Sequence, residues 1–442
     1  MPPRNSAPAN DAWEGVFSGM AGIWLALSLI KFGNPVILDH RITAPASLDE
    51  LLISPWPVAW GYGLLALVAL LGLKFWRWDT GVPRWLLVVP LVWLGWQVAS
   101  AAQTVDRNLT AATLPHFFAC VTAFYLGLFA LSRVTRLKTL WVGLVGGFVV
   151  VLIVGWRQHF GGLEETRQFF YRLPDWQNYP PELQKKVMSN RIYSTLVYPN
   201  ALAGVVLLLL PVSFSILWST GSSRIVKIRL VAAGVLGILS LGCLYWSGSK
   251  AGWLIALGQG VVVLVRLTVG KAVKILILSL ALCVGLGGFW MTYQDYFGRG
   301  ATSAAARLDY WDAAWKTLLG QPAFGSGPGT FAVSYKAIKP AEAETTQLVH
   351  NDLLQQGSDS GWIGLLSFVV WLGGGVLLLY RRSISDWPRF CAWIGVVGMV
   401  TQSLVEFGLY IPALAWPFFV LFGWMLGTSR PPFQIDNAAA SP

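Results

Sequence analysis

The chain has 442 residues, of which 55% are hydrophobic and 12% charged, and its mean hydropathy is +0.57. A soluble protein of this length carries roughly a quarter charged residues, so this composition excludes a soluble domain. Many apolar stretches approach or exceed the roughly 18 residues that cross a bilayer. We therefore predict an all-α integral membrane protein.

Apolar stretches predict twelve membrane spans, at 16–33, 56–76, 84–102, 112–132, 138–156, 199–219, 226–246, 250–267, 273–293, 360–380, 388–405 and 411–428. The predicted membrane domain covers 13–430. The tails 1–12 and 431–442 are rich in Pro, Ala, Ser and Asn, which predicts that they are disordered. The first span is interpreted as an uncleaved helix, because only Arg4 precedes it as a cation.

The net charge of +11 is distributed in a pattern along the chain. Five short loops each hold three Lys or Arg residues, whereas the short loops between them hold few. Because short cytoplasmic loops retain basic residues, this alternation predicts that both termini are cytoplasmic. The long loops, about 157–198 and 294–359, then lie on the outer side. The basic excess is an orientation signal, and we expect no nucleic-acid partner.

The larger loop has its own predicted structure. Residues 303–319 place Leu308, Trp311, Trp315 and Leu318 at helical spacing, with Asp312 and Lys316 as an i,i+4 ion pair. This predicts an amphipathic helix on the outer membrane face, ended by a turn at Gly325, Gly327 and Gly329.

A second loop helix is predicted to begin near Thr345 or Thr346, either of which could be its N-cap. On that helix, His350 shares a face with Leu353 and Leu354. His350 is the only histidine in a long polar segment. An imidazole titrates near neutral pH and could take a proton from an acceptor hydroxyl, although a packing or capping role is the alternative. His159, just after the fifth span, is the second choice, and His40 would have to fold back.

Isolated outer cations form the second group of candidates. Arg191 lies where a long loop re-enters the membrane, Lys250 lies in a tight outer turn, and Arg307 lies on the first loop helix. Contact with a lipid headgroup is the alternative for Arg191, and snorkelling is the alternative for Lys250. Together such groups could bind a diphosphate, because guanidinium and ammonium groups neutralise phosphate oxygens.

Metal and redox sites find little support. The four cysteines fall in four different spans without metal-ligand spacing, which predicts buried thiols and no disulfide. Glu342 and Glu344 are the only close acidic pair in the larger loop. We expect no metal and no cofactor.

An ordered set of motifs runs through about 190–375: Arg191 to Ala203, Ser247 to Trp253, Arg307-x-x-Tyr-Trp, Phe324-Gly-Ser-Gly-Pro-Gly-Thr-Phe331 and His350-Asn351-x-Leu353. This set resembles the O-antigen ligase and O-antigen polymerase superfamily of bacterial inner-membrane glycosyltransferases. The plan of twelve spans with a large outer loop late in the chain is similar as well.

The resemblance implies metal-independent transfer of a glycan from an undecaprenyl-diphosphate carrier to an acceptor hydroxyl at the periplasmic face. His350 would activate the acceptor or assist departure of the carrier, and Arg191 would bind the diphosphate. Lys250 stands where many members have arginine, so it keeps the charge without the planar fork. Arg307 matches a frequent loop arginine. Asn351 and the three loop glycines would support the site.

Several alternatives stay open at this point. The acceptor could be lipid A core, another glycan repeat unit or a protein side chain. A transporter of an anionic or carbohydrate solute also suits twelve spans with outer cations, but it predicts internal repeats and ionisable residues near the midplane. A structural or assembly membrane protein is the third class, and it would not need the glycine-rich loop with its histidine.

Overall fold

The structure is a computed structural model that describes residues 8–172, 176–178, 184, 187–219, 226–298, 302–340, 343–383 and 386–428. Within these residues it contains sixteen α-helices, with short 3-10 and π turns and no β-strand. The prediction of an all-α membrane protein is therefore confirmed.

The helices in chain order are α1 (Pro8–Lys31), α2 (Leu48–Ile53), α3 (Val58–Gly72), α4 (Arg84–Ala101), α5 (Arg107–Tyr125), α6 (Lys138–Arg157), α7 (Leu163–Arg172), α8 (Pro199–Ser219), α9 (Val226–Trp246), α10 (Lys250–Arg266), α11 (Lys271–Gly298), α12 (Thr302–Gly320), α13 (Phe331–Ile338), α14 (Asp352–Ser383), α15 (Trp387–Gln402) and α16 (Pro412–Gly427).

Each of the twelve predicted spans coincides with one of these helices. In the described part of the chain, nine helices are long and apolar enough to cross a membrane. The other three predicted spans are α10, α15 and α16, with 17, 16 and 16 residues. Helix α1 begins at Pro8, so residues 8–12, which the sequence predicts to be disordered, are helical. Residues 1–7 and 429–442 lie outside the described residues.

The core is built around α16. All of its residues are buried, although it has only 16 residues and contains Pro417. It packs against α1 and α5. Trp416 lies among the rings of Trp24, Phe32 and Tyr62. A helix of this length covers about 24 Å. Because other helices enclose it, its surroundings are protein rather than lipid.

Helix α11, unlike α16, is mostly exposed on the surface of the bundle. It packs mainly on α10, and no residue of its most apolar window is buried within the chain. Trp253 of α10 donates to the Gly285 carbonyl oxygen at 3.0 Å. The rest of α11 exposes apolar side chains such as Leu280 and Val284, as expected for a helix facing lipid.

The first loop helix is confirmed as α12, with Asp312 and Lys316 paired at 2.7 Å. Of its large apolar residues, Leu308 and Trp315 are exposed and Leu318 is buried. Small residues such as Ala313 and Ala314 are also buried, facing α14 and α13.

The predicted start of the second loop helix is wrong. Helix α14 begins at Asp352, and its N-cap is Asn351, whose Oδ1 accepts from the Leu354 amide at 3.0 Å. His350 precedes the helix with a φ of +54°. It therefore does not share a helical face with Leu353 and Leu354.

Candidate active site

Four segments meet at one end of the bundle: the stretch before α8, the start of α12, His350 before α14, and the loop between α15 and α16. Their side chains converge on one carboxylate, Glu406, of which only 6% of the surface is exposed. We call Arg191, Asn200, Arg307, His350 and Glu406 the Glu406 cluster.

His350 is held on three sides. Its Nδ1 lies 3.2 Å from Glu406 Oε2. Tyr310 stacks against the imidazole and Phe407 meets it edge to face, at centroid distances of 5.9 and 4.7 Å. About a quarter of the side chain remains exposed (24%). An imidazole oriented by a carboxylate at one nitrogen, with part of its surface open, has the arrangement of a general base.

The other oxygen of Glu406 binds Arg307 and Asn200, and Arg191 joins the cluster through Asn200. Oε1 accepts from Arg307 Nη2 and from Asn200 Nδ2. The amide oxygen of Asn200 accepts from Arg191 Nη2 at 2.7 Å, and Arg191 Nε donates to the Ser247 carbonyl oxygen at 2.7 Å. The structure thus brings His350, Arg191 and Arg307 together.

The electrostatics of the cluster favour an ionised carboxylate. Burial alone would raise the pKa of Glu406, but the hydrogen bond and charge of His350 and the charges of Arg307 and Arg191 lower it below its ordinary value. Burial lowers the pKa of Arg191, and the nearby Glu406 opposes that shift. Arg191 and Arg307 are two permanent cations beside one carboxylate, so this set of groups carries excess positive charge.

Lys250 lies beside the cluster at the start of α10. Ser249 caps that helix by accepting from the Gly252 amide at 3.2 Å. The Lys250 ammonium lies over the rings of Tyr296 and Tyr293 on α11, 3.9 and 4.8 Å from their centroids. Among the described residues it has no carboxylate partner. Lys250 is therefore a cation held by aromatic faces rather than by an ion pair.

The glycine-rich segment lies against residues 358–360 of α14. Its glycines at 325, 327 and 329 have φ values of +62°, +107° and +77°. The Gly329 amide donates to Asp359 Oδ2 at 2.8 Å, and a Cβ at Gly325 would lie 2.4 Å from the Ser358 carbonyl oxygen. Their positive φ values and close contacts allow the backbone of this segment to pack against α14.

Asp352 connects the segment of His350 to the loop of Glu406. Its amide donates to the Ser403 carbonyl oxygen at 2.7 Å, and its Oδ2 accepts from the Leu409 amide at 3.1 Å. Both ends of the 403–409 loop are thereby fixed to the residue two positions after the histidine. Sequence reasoning did not single out Asp352.

The two other candidate histidines, His159 and His40, lie outside the cluster. His159 is exposed and stacks on Trp246 at 3.8 Å. His40 is exposed at the end of a 3-10 turn. Within the described residues no group of three or more His, Cys, Asp or Glu side chains could hold a metal ion. Glu342, one of the acidic pair, lies outside the described residues.

Glu406 is the main residue that sequence reasoning missed. A signal was present, because Glu406 is the only acidic residue between Asp386 and Asp436, in an otherwise apolar stretch. Asn200 belongs to the motif Arg191 to Ala203, but the motif alone does not indicate its role. Its position between Arg191 and Glu406 becomes apparent only from the fold.

In a comparison with known protein families, residues 235–369 match the family described as O-antigen ligase. The resemblance noted from the sequence is confirmed over this segment. The match includes Lys250, Arg307 and His350, whereas Arg191 and Glu406 lie outside it. A comparison with curated proteins found no match. The family supports a multi-pass membrane enzyme that transfers glycans in the manner of a ligase or polymerase.

Proposed function

We propose that the protein transfers a glycan from an undecaprenyl-diphosphate carrier to an acceptor hydroxyl at the periplasmic face of the bacterial inner membrane, without a metal ion. The observation that carries this proposal is the Glu406 cluster. It joins one oriented imidazole to two guanidinium groups at one end of a membrane bundle.

The imidazole has the arrangement needed for the acceptor. With Nδ1 bound to Glu406, Nε2 of His350 remains to take the proton from the acceptor hydroxyl. The acceptor oxygen then forms the new bond to the anomeric carbon, and the bond from that carbon to the diphosphate oxygen breaks. Glu406 stabilises the imidazolium that results, because an opposite charge nearby favours the charged form.

The cations have the arrangement needed for the departing carrier. Negative charge grows on the diphosphate as the glycosidic bond breaks, and positioned cationic donors stabilise that charge. Arg191 can donate to diphosphate oxygens from an edge of its planar guanidinium, and Lys250 can attract them with the compact charge of its ammonium. Arg307 is bound to Glu406 and orients it, so we assign Arg307 a positioning role.

The donor and acceptor chemistry fits the placement of the site. A polyprenyl tail needs lipid beside the site, and α11 with its exposed apolar surface borders Lys250 through Tyr293 and Tyr296. The acceptor is a glycan or a lipid-linked saccharide that offers a hydroxyl. Membrane lipid is the surrounding partner.

The test is transfer by the purified protein in lipid nanodiscs, with a defined polyprenyl-diphosphate oligosaccharide and a panel of saccharide acceptors, in the presence of EDTA. The parent protein should transfer the glycan. His350→Ala should lower the rate by about 10²–10⁴-fold, because general-base assistance is lost. His159→Ala is the matched control and should retain the parent rate. Equal rates for His350→Ala and the parent would contradict the assignment.

A further inference from the structure

Tyr293 of α11 presents an unusual buried hydroxyl. Only 7% of its surface is exposed, and its hydroxyl has no hydrogen-bond partner among the described residues. Buried hydroxyl groups in proteins are nearly always hydrogen-bonded, so an unpaired one needs an explanation. A ligand that supplies an acceptor is one such explanation.

The position of Tyr293 indicates what that ligand is. Its ring lies 4.8 Å from the Lys250 ammonium, and Arg191 is bound to the same turn, because its Nε donates to the Ser247 carbonyl oxygen at 2.7 Å. Tyr293 therefore lies beside one of the two cations that the proposed function assigns to the donor diphosphate and next to the turn that holds the other. An acceptor attracted to both cations would be an anion with several oxygens.

The surroundings of the Lys250 ammonium also favour an anionic ligand. Its ammonium lies over two aromatic faces, whereas the cluster carboxylate is already bound by Arg307 and Asn200. Attraction of a cation to a ring is weaker than its attraction to a phosphate oxygen. An incoming diphosphate should therefore draw the ammonium off the rings and uncover the phenol beneath it.

We propose that Tyr293 is a further donor-binding residue: its ring holds Lys250 before the donor arrives, and its hydroxyl then donates to a diphosphate oxygen. This inference rests on the proposed function and adds a neutral hydrogen-bond donor to its site. The ligand class is a polyprenyl diphosphate, held by two cations and one phenol.

The experiment measures binding of farnesyl diphosphate, a polyprenyl diphosphate without a glycan, to the full chain in nanodiscs by calorimetry. Tyr293→Phe keeps the ring and removes the hydroxyl, so it should raise the dissociation constant by about ten-fold or more. Tyr293→Leu removes the ring as well and should weaken binding further. Tyr380→Phe, which removes a phenol hydroxyl near the C-terminal end of α14, should bind like the parent.

The outcomes separate this inference from the function on which it rests. If Arg191→Lys weakens binding and Tyr293→Phe does not, the hydroxyl is not a ligand and the inference fails, while the proposed function stands. If the parent does not bind farnesyl diphosphate at all, both fail. The thermal unfolding temperature of each variant, measured without ligand, shows whether the Tyr293→Phe effect is one of binding or of folding.

Discussion

Glu406 is the carboxylate that binds His350 and Arg307 in the site. It accepts hydrogen bonds at both oxygens and is nearly inaccessible to solvent. Glu406→Gln preserves the size of the side chain and removes the charge. Because hydrogen bonds between charged groups are worth about 1.5–3 kcal/mol, we expect transfer to fall by about 10- to 100-fold. Steady-state transfer at matched protein levels would measure this, and an unchanged rate would remove Glu406 from the mechanism.

The same carboxylate makes stability depend on pH. Folding lowers the pKa of Glu406 below its ordinary value of 4.5. Its stabilising contribution is therefore complete above pH 4.5 and is lost as the pH falls through the folded-state pKa. We expect the parent and Glu406→Gln to differ in unfolding temperature at neutral pH and to converge in acid. A difference that grows below pH 4 would contradict the sign of this shift.

Replacing Arg191 by lysine and replacing Lys250 by arginine should have different effects on the rate of transfer. Arg191 already uses Nε and Nη2 in fixed hydrogen bonds, and an ammonium cannot replace that planar geometry. Arg191→Lys should therefore be severely impaired, and Lys250→Arg should retain substantial activity. Lys250→Ala should lose about 10²–10³-fold in rate. If Lys250→Ala transfers at the parent rate, Lys250 acts only by snorkelling.

At the scale of elements, the loop between α15 and α16 owes its position to Asp352. Asp352 binds Ser403 and Leu409 at the two sides of Glu406. Asp352→Ala should lower the rate of transfer by about ten-fold, since the Leu409 amide loses its acceptor. Asp352→Asn keeps an acceptor oxygen and should recover most of that loss. Ser403→Ala is the control, because the backbone carbonyl that Asp352 uses remains.

A double variant distinguishes this positioning role from simple destabilisation. If Asp352 acts through Glu406, then Asp352→Ala combined with Glu406→Gln should be no slower than Glu406→Gln alone, because coupled residues are not additive. If the double variant instead shows the product of the two single rate reductions, Asp352 acts independently of the Glu406 carboxylate. The measurement is transfer at saturating donor, with the amount of folded protein determined for each variant.

The elements themselves were largely predictable, and the errors have physical causes. Apolar runs locate helices such as α8 and α9 because crossing a bilayer requires length and apolar composition. The start of α14 was misplaced because Thr345 and Thr346 are good caps, and the left-handed conformation of His350 has no sequence signature. The burial of Ala313 and Ala314 in α12 was not predicted, because a pattern of large apolar residues does not show where small residues allow close packing of helices.

At the scale of the whole molecule, distant segments assemble the site. Arg191, Arg307 and Glu406 are separated by about a hundred residues at each step, and only the packing of α8, α12 and α15 brings them together. The sequence identified three of the five cluster members because isolated outer cations and a loop histidine stand out in an apolar chain. Asn200 and Glu406 act through neighbours that are distant in sequence, so a motif could not show their roles.

The alternation of basic loops predicts the orientation of the protein in the membrane. Both termini should lie in the cytoplasm, and the site should lie in the periplasm. Gln168 on α7 and Ala337 on α13 are exposed in the two long connections, and Lys227 is exposed at the start of α9, at a basic connection. Single cysteines at 168 and 337 should react with a membrane-impermeant maleimide in intact cells, whereas a cysteine at 227 should react only after lysis. The unsubstituted chain is the background control, because its exposed Cys283 lies on the apolar surface of α11. Labelling at 227 in intact cells, with 168 and 337 silent, would reverse the orientation and place the Glu406 cluster on the side away from a periplasmic acceptor.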